Sequence, residues 1–305
     1  MGPPAPRRRR LDDGPLLPAR RQPARFARHP VPPRTARVTT AGVTTWRCPV
    51  CAEPLAEAGD RRSWRCTNGH AFDVAKEGYV NLLITHQRRQ REPGDSAEMM
   101  RDRRALLDSG AYEPLHEALQ RFAGTGTVLD AGCGEGYYTR GWPDVWAVDI
   151  SKPAVRLAAR RAEPGARYAV ASVYDLPLPD AGVDTAVNVF SPLHLPELAR
   201  VVRPDTGLIV TVTAGPDHLA GLAAHLFDAV EPHPEGGPFD AATEVTLDDR
   251  QRVRFDLRLD DRATIAALLG MTPWNWYVSP EVRARVTSLS SLSTPVDFQI
   301  SVYRC

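Results

Sequence analysis

The glycine-rich segment at residues 128–138 constrains the fold more tightly than any other part of the chain. Its sequence, VLDAGCGEGYY, places Gly132, Gly134 and Gly136 at alternate positions between a predicted strand and a predicted helix, so the backbone can turn sharply and touch a ligand. The spacing is G-x-G-x-G, whereas dinucleotide-binding loops have G-x-G-x-x-G. Asp130, two residues before the first glycine, would repel a pyrophosphate but suits an ammonium or a sulfonium.

A second acidic residue follows at the end of the next predicted strand. Asp149 lies nineteen residues after Asp130, where a carboxylate in an open α/β sheet can accept hydrogen bonds from ribose hydroxyls. A glycine loop alone is weak evidence, since turns use glycine for geometry. The loop and both carboxylates together predict a cofactor site.

Alternating helical and β-branched stretches from residue 112 onward predict an α/β fold of the doubly wound kind. The short apolar runs that predict buried parallel strands are TVLDAG, VWAVDI, VDTAVNVF and GLIVTVT. Helices are predicted in YEPLHEALQRF, KPAVRLAARRA and DHLAGLAAHLFDAV, and further strands in RVRFDLRLD and VDFQISVYR. Upstream, residues 96–110 predict a helix with Ser96 as its N-cap.

Three cysteines and one histidine ahead of this domain have the spacing of a metal site. Cys48 and Cys51 form C-x2-C, and after a gap of fourteen residues Cys66 and His70 form C-x3-H. Three sulfurs and one nitrogen suit Zn²⁺ with no open coordination position. We therefore predict a structural zinc ion, whose binding supplies the folding energy that a module of about 40 residues lacks.

The net charge of +1 is the sum of basic and acidic segments that nearly cancel. Residues 1–37 carry ten Arg, two Asp and nine Pro, whereas residues 105–305 have a net charge of −9. We predict that residues 1–43 are a disordered Arg/Pro-rich extension, either an arm for nucleic acid or dispensable.

No apolar run approaches 18 residues, which excludes a membrane-spanning helix. The lack of a signal peptide and of a disulfide framework predicts a cytoplasmic protein.

Several short segments carry a more specific resemblance. They are FDVAKEGYVNLL, PGDSAEMM, RRALLDSGAY, DISKP, ELARVVRP, GPDH and MTPW. With the metal spacing and the glycine loop, they resemble the bacterial 23S ribosomal RNA guanine-N1 methyltransferases over roughly residues 46–304. That family includes housekeeping and macrolide-resistance enzymes. The resemblance implies a zinc-ribbon domain ahead of a Rossmann-like class I methyltransferase domain, which transfers methyl from S-adenosylmethionine to a guanine in a 23S rRNA hairpin.

The resemblance implies the domain boundaries and the cofactor residues. It implies a zinc-binding RNA-recognition module at 44–85, a connector with a helix at 86–111 and the methyltransferase domain at 112–305. The residues expected to contact S-adenosylmethionine are Tyr112, Asp130, Gly132, Gly134, Glu135, Gly136, Asp149, Ser172, Val173 and His218. Because residues 141–145 are shorter than in the family, the helix after the glycine loop is expected to be abbreviated.

The residues expected to face the target base follow the fourth predicted strand. Asn188 would orient the guanine, and Phe190 and Trp274 would stack on it, although packing and strand-end capping explain these residues as well. No residue is identified as the general base; His194 and Asp175 are the nearest candidates.

RNA binding is expected from local arginines, because the catalytic domain is acidic. Arg61, Arg62 and Arg65 belong to the zinc module, and the connector contains HQRRQR at residues 86–91. The family suggests a homodimer. Two alternatives remain: a biosynthetic methyltransferase acting on a small molecule, and a non-catalytic RNA-binding protein with a decayed cofactor fold.

Overall fold

The computed structural model describes residues 45–84 and 96–305, and the structural statements below concern these two ranges. The extension predicted at residues 1–43 lies outside them, as do Arg88, Arg89 and Arg91 of the predicted connector. Within the described ranges, no helix is long and apolar enough to cross a membrane.

The N-terminal region consists of short strands joined by turns. Its strands are β1 (Ala56–Glu57), β2 (Ser63–Arg65), β3 (Ala71–Asp73) and β4 (Val80–Asn81). The first three form an antiparallel sheet in the order β1-β2-β3. The fourth pairs in parallel with a strand of the large sheet described next, although it belongs to the range predicted for the zinc module.

The rest of the chain alternates strands and helices, as its hydrophobic pattern predicts. The helices are α1 (Ala97–Asp108), α2 (Glu113–Leu119), α3 (Lys152–Arg160), α4 (Leu195–Val201), α5 (Ala220–Leu226), α6 (Arg262–Gly270) and α7 (Pro280–Thr287). The strands are β5 (Val128–Ala131), β6 (Val145–Asp149), β7 (Ala166–Val170), β8 (Thr185–Val189), β9 (Leu208–Ala214), β10 (Thr246–Leu259) and β11 (Leu292–Arg304). Short 3₁₀ helices occupy Gln120–Phe122 and Pro273–Trp276.

One eight-stranded sheet organises this domain, with the order β10-β11-β9-β8-β5-β6-β7-β4. β11 runs antiparallel to both of its neighbours, and the strands from β9 to β4 are mutually parallel. The strand order reverses at β5, which pairs with β6 on one side and β8 on the other. This confirms the predicted doubly wound α/β class, and the reversal is where such sheets form ligand crevices.

The segment after the glycine loop differs from the prediction. Residues 132–144 contain only turns and bends, so the loop leads into no helix, where an abbreviated one was expected. Only eight residues separate Gly136 from β6, and Gly141 and Pro143 interrupt them. Glycine and proline both disfavour a helix interior, which explains why no helix forms here.

The C-terminal hairpin is longer than its sequence pattern indicated. β10 and β11 pair from Thr246↔Arg304 to Leu259↔Leu292, whereas the alternation predicted strands over residues 252–260 and 296–304. The start of β10 is exposed and carries four charged residues within Asp248–Arg252, so hydrophobic alternation could not reveal it. The N-cap predicted for α1 is present, because Ser96 Oγ accepts a hydrogen bond from the Met99 N–H at 3.2 Å.

Candidate active site and metal centre

The four predicted metal ligands converge in the N-terminal region. The ligand atoms of Cys48, Cys51, Cys66 and His70 all lie within 4.8 Å of one another. His70 Nδ1 is 3.6 Å from Cys48 Sγ and 3.3 Å from Cys66 Sγ, and the Cys51 and Cys66 sulfurs are 3.7 Å apart. Tetrahedral zinc with its usual bond lengths requires separations of about 3.5–3.8 Å between ligand atoms. The donor set therefore fits a closed, structural zinc site.

This region shares a hydrophobic core with one face of the large sheet. The Trp46 ring meets Trp146 of β6 edge-on, with ring centroids 4.6 Å apart. Leu55, Val80 and Leu82 are buried in the same cluster. Packing against the large sheet therefore contributes folding energy to these residues, in addition to the metal. The prediction that zinc alone supplies this energy was too narrow.

A cavity of about 640 Å³ opens at the carboxyl ends of the strands, where the sheet order reverses. Ten of the residues predicted to bind cofactor or base line it: Tyr112, Gly132, Gly134, Glu135, Asp149, Ser172, Val173, Phe190, His218 and Trp274. Asp130, Gly136 and Asn188 do not line it. The cavity size and the convergence of polar groups are those of a small-molecule site.

The glycine loop is held against β6 and against the loop that follows β8. Gly132 has φ +82°, and a Cβ at this position would lie 1.8 Å from Ser191 Oγ. A side chain here would have both a strained backbone and a clash, so glycine is required. The Gly134 N–H donates to Asp149 Oδ2 at 2.9 Å, which fixes the loop beside the cavity.

The two predicted carboxylates have different surroundings. Asp149 lines the cavity, and its Oδ1 accepts the Ser151 N–H at 2.7 Å. Asp130 is buried away from the lining, and its Oδ2 accepts a hydrogen bond from the Thr139 hydroxyl at 2.6 Å. Burial raises the pKa of Asp130 to about 7, against the opposing effect of the Thr139 hydrogen bond. Asp130 therefore stabilises the glycine loop through its hydrogen bond with Thr139 and does not face the cavity.

Two buried polar atoms of cavity-lining residues have no hydrogen-bond partner among the described residues. They are the Tyr112 hydroxyl and Glu135 Oε1, while the other carboxylate oxygen of Glu135 accepts from Arg104 Nε at 2.6 Å. Leaving such groups unsatisfied costs about 1–3 kcal/mol each. A polar ligand that reaches both atoms would remove this cost, and this fits the cofactor that the resemblance implies.

His218 is oriented by the backbone of β11. The Asp297 N–H donates to His218 Nδ1 at 3.3 Å, so in the neutral ring the proton is on Nε2. Burial lowers the pKa of His218 to about 4, and the nearby His233 acts in the same direction. The ring is therefore neutral near pH 7 and can donate a hydrogen bond from Nε2.

The end of β8 supplies an aromatic wall of the cavity. Phe190 has φ +51°, a strained conformation for a residue with a side chain, and its half-exposed ring stacks on His218 at 5.7 Å. Asn188 is buried, and its amide donates to the carbonyls of Ala131 at 2.9 Å and Pro192 at 3.2 Å. Asn188 thus joins β5 to the loop carrying Ser191 instead of presenting its amide to the cavity.

The remaining predicted residues of the lining come from two separate segments of the chain. Ser172 and Val173 follow β7, and the Ser172 hydroxyl accepts the Tyr174 N–H at 3.2 Å. Trp274 lies in the second 3₁₀ helix and meets Phe227 edge-on at 5.9 Å.

The sequence analysis did not identify a histidine and an arginine of the lining. His233 lines the cavity 6.2 Å from His218, and Arg103 reaches it from α1. No motif marks His233, and Arg103 begins the segment RRALLDSGAY but was given no role there. The fold brings both residues to the cavity from segments outside the glycine loop. Neither base candidate from the sequence lines the cavity: His194 lies at the start of α4, and Asp175 forms an ion pair with Arg47 at 3.4 Å.

Sequence comparisons relate both parts of the chain to known proteins. A family profile described as the N-terminal part of RlmA matches residues 46–91, and one described as a methyltransferase domain matches residues 129–209. The chain is 42% identical over 255 residues to the 23S rRNA (guanine(748)-N(1))-methyltransferase of Streptomyces fradiae. That alignment covers 78% of this chain and 88% of the relative.

Two further relatives align over most of their length. A provisionally named 23S rRNA (guanine-N(1)-)-methyltransferase of Micromonospora griseorubida is 38% identical over 289 residues, which is 84% of this chain and 94% of that protein. A Bacillus subtilis protein with the same provisional name is 28% identical over 284 residues, or 86% and 98% of the two chains.

Proposed function

The chain belongs to the family of 23S rRNA guanine-N1 methyltransferases, and on that premise we propose how its residues carry out the reaction. The enzyme transfers a methyl group from S-adenosylmethionine to N1 of a guanine in 23S rRNA. The observation that carries this function is the 42% identity, spread over 88% of the Streptomyces fradiae enzyme, together with a Cys₃His cluster and a cavity lined by the expected residues.

The bound cofactor supplies a methyl group on a positively charged sulfur, so the protein must mainly align the reactants and exclude water. Asp149 would accept hydrogen bonds from the ribose, and Ser172 and Val173 would border the adenine. The unpartnered atoms of Tyr112 and Glu135 would bind polar groups of the cofactor. Asp130, being buried away from the cavity, acts as a positioning residue for the loop.

The target base enters between the aromatic walls of the cavity. Guanine N1 lies on the Watson–Crick edge, so the base must leave its stack to reach the methyl group. Phe190 and Trp274 line the cavity and supply stacking surfaces for it. Asn188 fixes the loop that carries Phe190 and Ser191, which makes it a positioning residue.

We assign the role of accepting the N1 proton to His233, an imidazole of the cavity lining. Among the described cavity residues, Asp149 already accepts two backbone hydrogen bonds, and His218 carries its proton on Nε2. Burial keeps the pKa of the Cys133 thiol well above its usual value, so this thiol stays protonated. Glu135 is engaged by Arg104. His233 would accept the N1 proton and leave an electron pair on N1 for the bond to the methyl carbon. The carbon–sulfur bond of the cofactor would break at the same time, and its electron pair would stay on the sulfur of the departing S-adenosylhomocysteine.

A single-turnover experiment separates this role from a binding role. His233→Ala should slow methyl transfer about 100-fold at saturating RNA and cofactor, as loss of a general base does, with an unchanged cofactor Kd. Added imidazole should restore part of the rate. An unchanged rate would exclude His233 as the base.

RNA recognition is assigned to the zinc module and to α1. Arg61, Arg62 and Arg65 are exposed on the zinc module, while Arg103 lines the cavity. Arginine suits RNA because it binds phosphates bidentately and stacks on bases. The finer features that we propose are a hairpin substrate, a homodimer whose two zinc modules flank the RNA, and a cytoplasmic location. Arg88, Arg89 and Arg91 would extend the RNA surface, although they lie outside the described residues.

The reaction can be tested with labelled S-adenosylmethionine and 23S rRNA from cells that lack the gene. Digestion to nucleosides should give labelled 1-methylguanosine as the product. Cofactor binding without RNA labelling would favour the small-molecule methyltransferase, and the absence of both would favour an RNA-binding protein without catalysis.

A further inference from the structure

Exposed aromatic residues are concentrated around the mouth of the cavity. The large apolar residues that are exposed in the described ranges are Val50, Tyr174, Phe190, Phe227, Val230, Leu247, Trp276 and Tyr277. All five aromatic members of this set lie at or beside the cavity. Tyr174 and Phe190 line it, Phe227 packs against Trp274, and Trp276 and Tyr277 lie two and three residues after Trp274. A patch of this kind marks an interaction site.

The 3₁₀ helix at Pro273–Trp276 holds Trp276 in place although the residue is 57% exposed. Trp276 Nε1 lies 3.4 Å from Met99 Sδ and donates to it, which ties the indole to the first turn of α1. The Tyr277 N–H donates to the Trp274 carbonyl at 2.9 Å, and Tyr277 is 74% exposed. The Trp276 indole, which is fixed before binding, loses little conformational entropy when a partner stacks on it, and Tyr277 extends the exposed aromatic surface.

Positive charge lies next to this platform. α1 carries Arg101, which is exposed, and Arg103, which lines the cavity. Arg104 is paired with Glu135, and the same helix also contains Glu98 and Asp102. Aromatic faces beside arginines are the combination that binds single-stranded nucleic acid, in which bases stack and phosphates are paired. The same combination is unsuited to a purely apolar protein partner.

We propose that Trp276 and Tyr277 form a stacking platform for the unpaired nucleotides next to the target guanine. This inference rests on the proposed function, because it needs an RNA whose target base is drawn into the cavity. A guanine that leaves its stack exposes the faces of the neighbouring bases, and these bases remain outside the cavity. Trp276 and Tyr277 offer those faces new stacking partners, while Arg101 and Arg103 of α1 neutralise the adjoining phosphates.

Steady-state methylation of a hairpin that contains the modified guanine tests the platform. Trp276→Ala and Tyr277→Ala should each raise the KM for RNA about tenfold, with kcat and the cofactor Kd little changed. Trp276→Phe keeps a stacking face and should restore most of the affinity. Leu247→Ala, which alters an exposed residue on β10, is the matched control and should leave the RNA KM unchanged.

The outcomes separate this inference from the function on which it rests. If the wild-type enzyme methylates the hairpin and the KM of both alanine variants is unchanged, the platform is wrong and the function stands. If the wild-type enzyme methylates no RNA, the proposed function fails and the platform with it. If sedimentation shows that the alanine variants lose self-association instead of RNA affinity, the surface binds a second copy of the chain, which also overturns the inference.

Discussion

The backbone N–H of Asp297 donates to Nδ1 of His218 across 3.3 Å, and this single hydrogen bond determines which ring nitrogen carries the proton. A backbone amide can only donate, so Nδ1 must accept and Nε2 of the neutral ring bears the hydrogen. Asp297 is itself buried and bound by Arg252 on the neighbouring strand. The cavity therefore presents a neutral, oriented donor at this position.

His218 should remain neutral in the Nε2–H tautomer across the working pH range. Its pKa is lowered to about 4, chiefly by burial, so the ring should not titrate between pH 6 and 9. Nitrogen chemical shifts of the labelled imidazole report both properties. His218→Gln, which keeps a donor near Nε2, should bind cofactor more tightly than His218→Ala by about fivefold. Titration near pH 6.5 would contradict this assignment.

Tyr112→Phe should weaken cofactor binding without destabilising the protein. The Tyr112 hydroxyl has no partner among the described residues, so its removal should leave the free energy of unfolding unchanged or raise it by about 1 kcal/mol. The cofactor Kd, measured by calorimetry, should rise about fivefold. In the control Tyr303→Phe, loss of the hydrogen bond to Asp240 at 3.0 Å should cost stability but not cofactor affinity. Equal affinity of Tyr112→Phe and wild type would argue against the contact.

Removal of zinc should destabilise the whole chain and not only its first 40 residues. Trp46 and Val80 share a core with the large sheet, so loss of the metal should disturb Trp146 as well. The purified protein should contain one zinc per chain, and Cys66→Ser should lose it. The Tm should fall by about 10 °C, because a loss of several kcal/mol in the free energy of unfolding has this effect in a chain of this size. Cys305→Ser should retain the metal, and a zinc-free native protein would refute the site.

Asp130 should make the stability of the apo-protein fall as the pH rises. Burial raises its folded-state pKa to about 7, above the value of about 3.9 in the unfolded chain. The folded state therefore holds an extra proton between these values, and stability drops by up to about 1.4 kcal/mol per pH unit from about pH 4 to pH 7. Urea unfolding of Asp130→Asn should show a flatter profile than wild type, whereas the exposed Asp205→Asn should not. An Asp130→Asn profile with the same slope as wild type over this window would contradict the raised pKa.

The sequence predicted the parts of the site that local spacing determines. Short patterns with a fixed spacing predicted two groups of residues. Cys48 and His70 lie in the metal cluster, and Gly132 and Asp149 line the cavity. Periodicity equally well predicted the α/β class and strands at the positions of β5, β6, β8 and β9.

Other features depend on contacts that no local pattern records. His233 and Arg103 reach the cavity from distant segments, and Asn188 turns its amide toward two backbone carbonyls. The helix expected after the glycine loop is absent, because Gly141 and Pro143 interrupt the segment. The prediction was wrong because it followed the resemblance to the family. The positions of these residues depend on tertiary packing, which cannot be predicted from the sequence of a single segment.

Primer extension on 23S rRNA tests the central claim most directly. A methyl group on guanine N1 blocks Watson–Crick pairing, so reverse transcriptase should stop at one guanine after incubation with the enzyme and S-adenosylmethionine. The stop should be absent without the cofactor, and mass spectrometry of that fragment should show one added methyl group. Labelled RNA that gives full-length cDNA would contradict methylation at N1, and so would a stop at an adenine.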